Sequence, residues 1–356
     1  GLDAATFGIV RTVAILASPD QLAAVAEADI VQWIEPAPPP EQDLNVGGAQ
    51  PLSNVGAVQA APFGLDGTGV NVGVWEAGPA VVDDAHLDLT GRVTIQPGQA
   101  ITRSDHAAHV AGTIGGNGAN VPAAEGMAPN ATIASWSVDT TATNPNEDVN
   151  EMTNASTGTG GGLPVQVTNH SYGSVLGWDW RTNPPVFRGF QALFGAYTAR
   201  SAAFDNLVAQ SGLVVVKSAG NDLDDAPLTP VTGQPADCTQ NGLAVLADCI
   251  DPFGSAKNVV TVGAMTCSCD LDNDGADAGT DGPTASTAMS GTSMSAPVVS
   301  GIAALLLQDA AAGGNLLTAE GVRALLLGTA RDVAGIGQAT VGPGLAPGGG
   351  VAAARA

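Results

Sequence analysis

The stretch VNVGVWEAG, residues 70–78, decides how the chain is read. Val70, Val72 and Val74 alternate as one face of a strand, and the run then stops on an acid, Glu76, just before Gly78. Strand ends beneath loops are where α/β proteins keep their chemistry, so this carboxylate is either a working group or a solvated turn residue. Similar apolar runs follow: ATIASW from Ala131, VQVTNHS from Val165, GLVVVKSAGN from Gly212 and NVVTVGA from Asn258. Helical patterns at 106–115, 190–211, 293–309 and 318–330 fall among them, the last with Thr318 as its N-cap. TNASTGTGGG, 153–162, reads as a surface loop. The alternation predicts an α/β domain of three layers, a mostly parallel central sheet covered by helices on both faces.

The 356 residues carry 11 basic and 34 acidic side chains, a formal charge of -23, with 44% hydrophobic and 13% charged residues. An average domain is about 25% charged, so this composition belongs to a folded, core-rich chain. The acidic excess argues against nucleic acid and anionic membranes, which need a basic face, and favours cations as small partners. No uninterrupted apolar run reaches the ~18 residues of a membrane-spanning helix. The first residue is Gly1, which leads us to expect a targeting segment that was removed or not included. Cys238, Cys249, Cys267 and Cys269 cluster, which points to local disulfides in an oxidising compartment, with Cys238–Cys249 the favoured pair. None has the C-x-x-C spacing of a zinc site.

Residues 12–35 read as strand, helix, strand: TVAILA, PDQLAAVAEA with Pro19 at the helix start, and IVQWIEP. PAPPPEQDLN follows, and its consecutive prolines suit an extended linker. This divides the chain into residues 1–44 and 45–356.

The most specific chemical signal is SGTSMSAPVVSGIAALLLQ, 290–308, in which a small-residue turn delivers Ser293 to the first turn of an apolar helix. Backbone N–H groups and the positive end of the helix dipole there favour developing negative charge. A simple N-cap is the plainer alternative. Pro297 is expected within that first turn, where few intrahelical donors are lost. A serine nucleophile needs a base, and the chain has four histidines: His86, His106, His109 and His170. SDHAAHVAGT, 104–113, places His106 and His109 on one helix without the acid of an H-E-x-x-H metal motif.

Taken in order, these motifs resemble the subtilisin-like serine proteases. HAAHVAGT (106–113) is similar to the family's histidine motif, SGTSMSAP (290–297) to its serine motif and SAGN (218–221) to its oxyanion segment; GMAPNA (126–131) and NHSYG (169–173) fit too. The resemblance spans roughly residues 45–345 and implies a subtilisin-like fold and a serine endopeptidase acting on polypeptides. It implies Ser293 as nucleophile, His106 as general base, and Asn221 with the Ser293 N–H as oxyanion donors. An extended substrate would pair with an edge strand at Ser171 and Gly173, and Tyr172, Ser218, Ala219 and Gly220 complete the implied substrate-binding set. The acid falls on Glu76, where the family has Asp; Glu keeps the charge and adds one methylene. Asp105, Asp83 and Asp84 rank below it, since an immediate neighbour on a helix points away. His86, His109 and His170 are then structural.

Some features depart from the family pattern. Ala107 and Ala108 replace its Gly-Thr, and the passage from VGA (262–264) to Ser293 is shorter than the family's, which carries an A-P-G turn whose beginning Gly282-Pro283-Thr284 resembles. These departures, with Glu76, leave a catalytically inactive, peptide-binding domain of the same fold as the alternative. In the same passage Asp270, Asp272, Asp274 and Asp281 take positions 1, 3, 5 and 12 of a calcium-loop pattern, with Gly275 at position 6. A structural calcium ion and a plain acidic loop both fit that spacing. The resemblance further implies that residues 1–44 end an inhibitory propeptide of α+β type, making the protein a secreted zymogen held by its own propeptide.

Overall fold

A computed structural model describes residues 18–28, 31, 34, 41–43, 55–99, 102–119, 122–138, 146–176, 178–179, 186–188, 193–221, 250–264 and 291–329. The first half contains α1 (Pro19–Ala26), β1 (Glu41–Asp43), α2 (Gly56–Gln59), β2 (Asn71–Ala77), β3 (Ala80–Val81), β4 (Val93–Ile95), β5 (Thr102–Arg103), α3 (Asp105–Gly115) and β6 (Thr132–Val138). Then come α4 (Glu147–Thr157), β7 (Val167–His170), β8 (Tyr172–Ser174), β9 (Trp178–Asp179), β10 (Val186–Phe187), α5 (Ala199–Ser211), β11 (Val214–Ser218), β12 (Val260–Val262), α6 (Thr292–Ala312) and α7 (Ala319–Thr329).

The expected architecture is present. Six strands form one sheet in the order β12-β11-β7-β2-β6-β4, and every pairing in it is parallel. Strands β7 and β11, the latter opening on three valines, are buried at every position, as strands covered on both faces must be. From β2 the chain goes to the edge at β4, returns to β6 beside β2, then crosses to β7, β11 and β12 on the other side. Strand order therefore reverses beside β2, and the crevice above the carboxyl ends at such a reversal is where open α/β sheets bind ligands. Helices α3 and α6 pack on each other and on β2 and β7, while α4 and α5 form a second packed pair.

Local expectations need correction in four places. The loop expected at 153–162 begins as helix, because α4 runs to Thr157 and stops at Gly158, whose φ is 70°. Its apolar positions Val149, Met152 and Ala155 recur only every third residue among polar ones, which thins the periodic signal. Helix α5 starts at Ala199 rather than at 190. The linker expected after residue 36 contains β1, which pairs antiparallel with β8 in the register Glu41↔Ser174, Gln42↔Gly173, Asp43↔Tyr172. Pro297 is the sixth residue of α6 rather than part of its first turn.

Other expectations stand. Helix α1 lies in the expected N-terminal helix; the strand expected before it, and most of the one after it, lie outside the described residues. Thr318 Oγ1 accepts the Gly321 N–H at 3.2 Å, an N-cap contact. Helix α6 is long and apolar enough by composition to cross a membrane, yet its residues Ala296 to Leu305 are largely buried in the core. Gly301 allows that approach, since a Cβ there would meet Met127 Cβ at 2.4 Å.

Trp75 organises the middle of the sheet. Its ring stacks on Trp136 with centroids 4.1 Å apart, and Gly73 makes the space, because a Cβ there would fall 2.3 Å from the indole. The indole Nε1–H donates to Glu151 Oε2 at 2.9 Å, and Gln99 Nε2–H donates to Oε1 at 2.7 Å. Burial raises the Glu151 carboxyl to about 8, with Glu147 and Asp148 adding repulsion. Gly73→Ala is expected to cost about 1–3 kcal/mol through overpacking, read as a lower denaturation midpoint; unchanged stability would contradict the contact. For Glu151 the folded value lies above the unfolded one, so the unfolded chain loses its proton first. Its contribution to stability therefore falls as pH rises from the ordinary carboxyl range to about 8 and is level beyond. Glu151→Gln should flatten that part of the curve of Tm against pH, and an identical slope would contradict the assignment.

Candidate active site

Glu76 is the penultimate residue of β2 and is only 1% exposed. A carboxylate so buried has to be hydrogen-bonded. His106 Nδ1–H donates to it, at 2.9 Å from Oε2 and 3.1 Å from Oε1, and the Ser104 hydroxyl donates to Oε1. Ser104 is also the N-cap of α3, its Oγ accepting the Ala107 N–H at 3.1 Å. One serine thus fixes both the start of the histidine helix and the acid beneath it. With Nδ1 as donor, the neutral His106 ring keeps Nε2 as its acceptor. Ala107 is buried in the core and the Ala108 N–H bonds the Ser104 carbonyl at 2.9 Å, so the two alanines continue α3 unbroken.

Ser293 is the second residue of α6 and is buried. The preceding cap, Gly291, has φ 143° and ψ -178°, a region open essentially to glycine alone. The Ser293 N–H is one of the first four helix amides, which have no carbonyl partner within the helix. Its hydroxyl donates to the Ser171 carbonyl at 3.0 Å, and the Ser171 hydroxyl donates to the Ser293 carbonyl at 2.7 Å. That second bond explains Pro297. In an uninterrupted helix the Ser293 carbonyl would take the N–H of residue 297, which proline lacks, and Ser171 fills the vacancy. The chain of bonds continues: Asn169 Nδ2–H donates to Ser171 Oγ, and Ser300 Oγ–H to Asn169 Oδ1, each at 2.9 Å.

A second tie reaches the same turn from β11. Asn221 Oδ1 accepts the Thr292 N–H at 3.0 Å and the Thr292 hydroxyl at 2.9 Å, while the Gly220 N–H donates to Thr292 Oγ1 at 3.2 Å. With its oxygen held on Thr292, the donor end of Asn221 is its amide nitrogen, beside the Ser293 turn. Gly220 has φ 107°, which lets the chain bend there. Ser218 and Ala219 are held in the sheet, by Ser218 Oγ–H to the His170 carbonyl at 3.3 Å and Ala219 N–H to the Val262 carbonyl at 2.9 Å. Tyr172 and Gly173 lie on β8.

The remaining candidates fall away from this centre. His170 is buried between Thr168 Oγ1 and the Tyr172 hydroxyl, and burial, with Lys217 and Arg200 nearby, holds it well below its ordinary pKa. His86 Nδ1 accepts the Asp88 N–H at the cap of a turn, and His109 sits by Thr113 on α3. Asp84 and Asp83 pair with Arg103, at 2.6 and 3.9 Å. Asp105 begins α3. Asp270, Asp272, Asp274, Asp281 and the four cysteines lie outside the described residues, as do Gly282 to Thr284. Among the described residues no group of three or more His, Cys, Asp or Glu is placed to hold a metal ion. Sequence reading had missed Ser104 and Thr292. Ser104 carried a usable signal, a serine immediately before a helical pattern, whereas nothing local marks Thr292 as the anchor of Asn221.

The family model of the subtilases matches residues 82–344. Similar solved structures include the self-cleaved protease domain of PatA, at 23% identity and TM-score 0.46 over 75% of this chain and 91% of that one. The patellamide maturation protease PatA has 22% identity and TM-score 0.48, over 77% of this chain and 92% of that one. A cold adapted subtilisin-like serine proteinase has 22% identity and TM-score 0.44, over 75% and 84%. No curated protein sequence matches. Because the family match takes in well over half of the chain, the protein belongs to the subtilase family and is a serine-type endopeptidase of subtilisin-like fold.

Proposed function

We propose that this protein is a secreted endopeptidase, made as a zymogen, that hydrolyses peptide bonds through an acyl-enzyme on Ser293. The observation that carries the reading is the buried Glu76–His106 hydrogen bond, on a helix packed against the helix whose serine turn is anchored by the residues that follow β7 and β11. Glu76 lies before the span matched by the family model, so its assignment rests on that pairing. The extra methylene is accommodated, because the carboxylate reaches Nδ1 at 2.9 Å and takes the Ser104 hydroxyl as well.

In the reaction, the Ser293 hydroxyl turns from the Ser171 carbonyl and gives its proton to His106 Nε2 as Oγ attacks the substrate carbonyl. Glu76 holds the imidazole in its tautomer and stabilises the imidazolium. The Asn221 amide and the Ser293 N–H receive the oxyanion. His106 then protonates the leaving amine, and water, deprotonated by the same ring, releases the acyl group.

Segment β1 supports a propeptide role for residues 1–44. It lies antiparallel on β8, the edge an extended substrate would join by strand addition. Its register runs from Ser174 towards Tyr172, and so towards Ser171 and the nucleophile. We take the bond at the 44/45 boundary as the processing site. The acidic spacing of residues 270–281 is the basis for a structural calcium ion, and the clustered cysteines for secretion.

An organophosphorus serine probe tests this reading. The propeptide-free protein should be labelled, and Ser293→Ala should lose both the label and roughly 10⁶-fold in kcat. A folded, propeptide-free sample that takes no label would contradict it.

A further inference from the structure

Glu76 has one methylene and one rotatable bond more than an aspartate, and that freedom has to be removed if its carboxylate is to hold a neighbour in place. A buried carboxylate has two oxygens to satisfy, and His106 Nδ1–H supplies a single proton between them, at 2.9 and 3.1 Å. Among the described residues the sheet around Glu76 offers no second side-chain donor. Trp75 turns its indole N–H to Glu151, and Ala77 has none to give. Ser137, which pairs with Glu76 from β6, donates its hydroxyl to Gln99 Oε1 at 2.9 Å. His170, which pairs with Trp75 from β7, is engaged with Tyr172 and Thr168.

The second donor comes from outside that sheet. Ser104 gives its hydroxyl proton to Oε1, the oxygen that His106 holds less closely. The rest of Ser104 is committed to fixed backbone. Its N–H donates to the Val81 carbonyl of β3 at 3.0 Å, its carbonyl accepts the Ala108 N–H at 2.9 Å, and its Oγ accepts the Ala107 N–H at 3.1 Å. Strand β3 follows β2 after two residues and pairs with β5, Val81 opposite Arg103. The hydroxyl is thus held by the helix that carries His106 and by the strand pair beside β2, and it presents one proton at one fixed distance from the sheet. An acid drawn back by one methylene, about 1.5 Å, does not meet Ser104 and His106 together.

We infer that Ser104 is a positioning residue for the peptidase reaction, and that it is the residue that suits this site to glutamate rather than aspartate. Its proton pins Oε1, which leaves Oε2 facing His106 Nδ1 in one orientation. The inference rests on the peptidase reading above. Ser104 acts through Glu76 and His106, so its loss is felt in kcat with KM unchanged.

The test is kcat and KM for full-length, processed protein on one extended peptide, with active sites counted by the serine probe. Glycine is accepted as an N-cap, so Ser104→Gly removes the proton donor at little cost to α3. It should lower kcat by about 10- to 100-fold with KM unchanged. Ser104→Thr, which keeps the hydroxyl, should recover most of that loss. In the Glu76→Asp background, Ser104→Gly should cost roughly tenfold less than it does beside glutamate, because the shorter acid has no bond to Ser104 to lose. Wild-type kcat in Ser104→Gly, a fall that Ser104→Thr does not recover, or an equal fall beside either acid overturns the role of Ser104 and leaves the peptidase reading standing. Failure of wild type itself to take the probe overturns both. Should Ser104→Gly not fold, Ser104→Ala in the two backgrounds decides by the same comparison.

Discussion

The site depends on one buried hydrogen bond, from His106 Nδ1 to Glu76. A carboxylate at the end of a central strand, almost wholly removed from water, is tolerable only while its partners hold it. Stripping a partner from such a pair typically costs about 3–5 kcal/mol, so the acid and the histidine constrain each other's positions. Ser104 adds the third contact and, as the N-cap of α3, makes the helix start inseparable from the acid's placement. The same bond that sets the imidazole tautomer also docks α3 onto β2.

The position of Ser293 follows from a different constraint. A proline at residue 297 leaves the Ser293 carbonyl without its helical partner, and the Ser171 hydroxyl takes it. A helix defect is thereby converted into a tie between the serine turn and the residue that leads into β8. Thr292 and Asn221 make the corresponding tie to β11, and Gly291 supplies the backbone angle the turn requires. Ser293, Asn221 and the residue that leads into β8 are thus positioned by side chains and backbone at the carboxyl end of the sheet.

Much of this was legible in the residues. The valine runs around 72, 167, 214 and 260 became parallel strands because a sheet buried on both faces demands apolar, β-branched residues. The order of Glu76, His106 and Ser293 along a known motif pattern pointed to the candidate site. Less legible were features without local cause. Helix α4 offers few apolar positions, and β1 becomes a strand only through its pairing with β8, far away in sequence. The tie between Thr292 and Asn221 is likewise a product of tertiary approach. Glu76 was legible as an acid at a strand end, yet only the fold shows that its longer side chain still meets His106.

The most direct test of the account is kcat for folded Glu76→Gln against wild type and Glu76→Asp. A glutamine keeps the shape but presents its amide to the imidazole, so kcat should fall by about 10⁴-fold, whereas aspartate should remain within roughly 100-fold of wild type. A Glu76→Gln protein as active as wild type would show that the buried carboxylate does not govern His106.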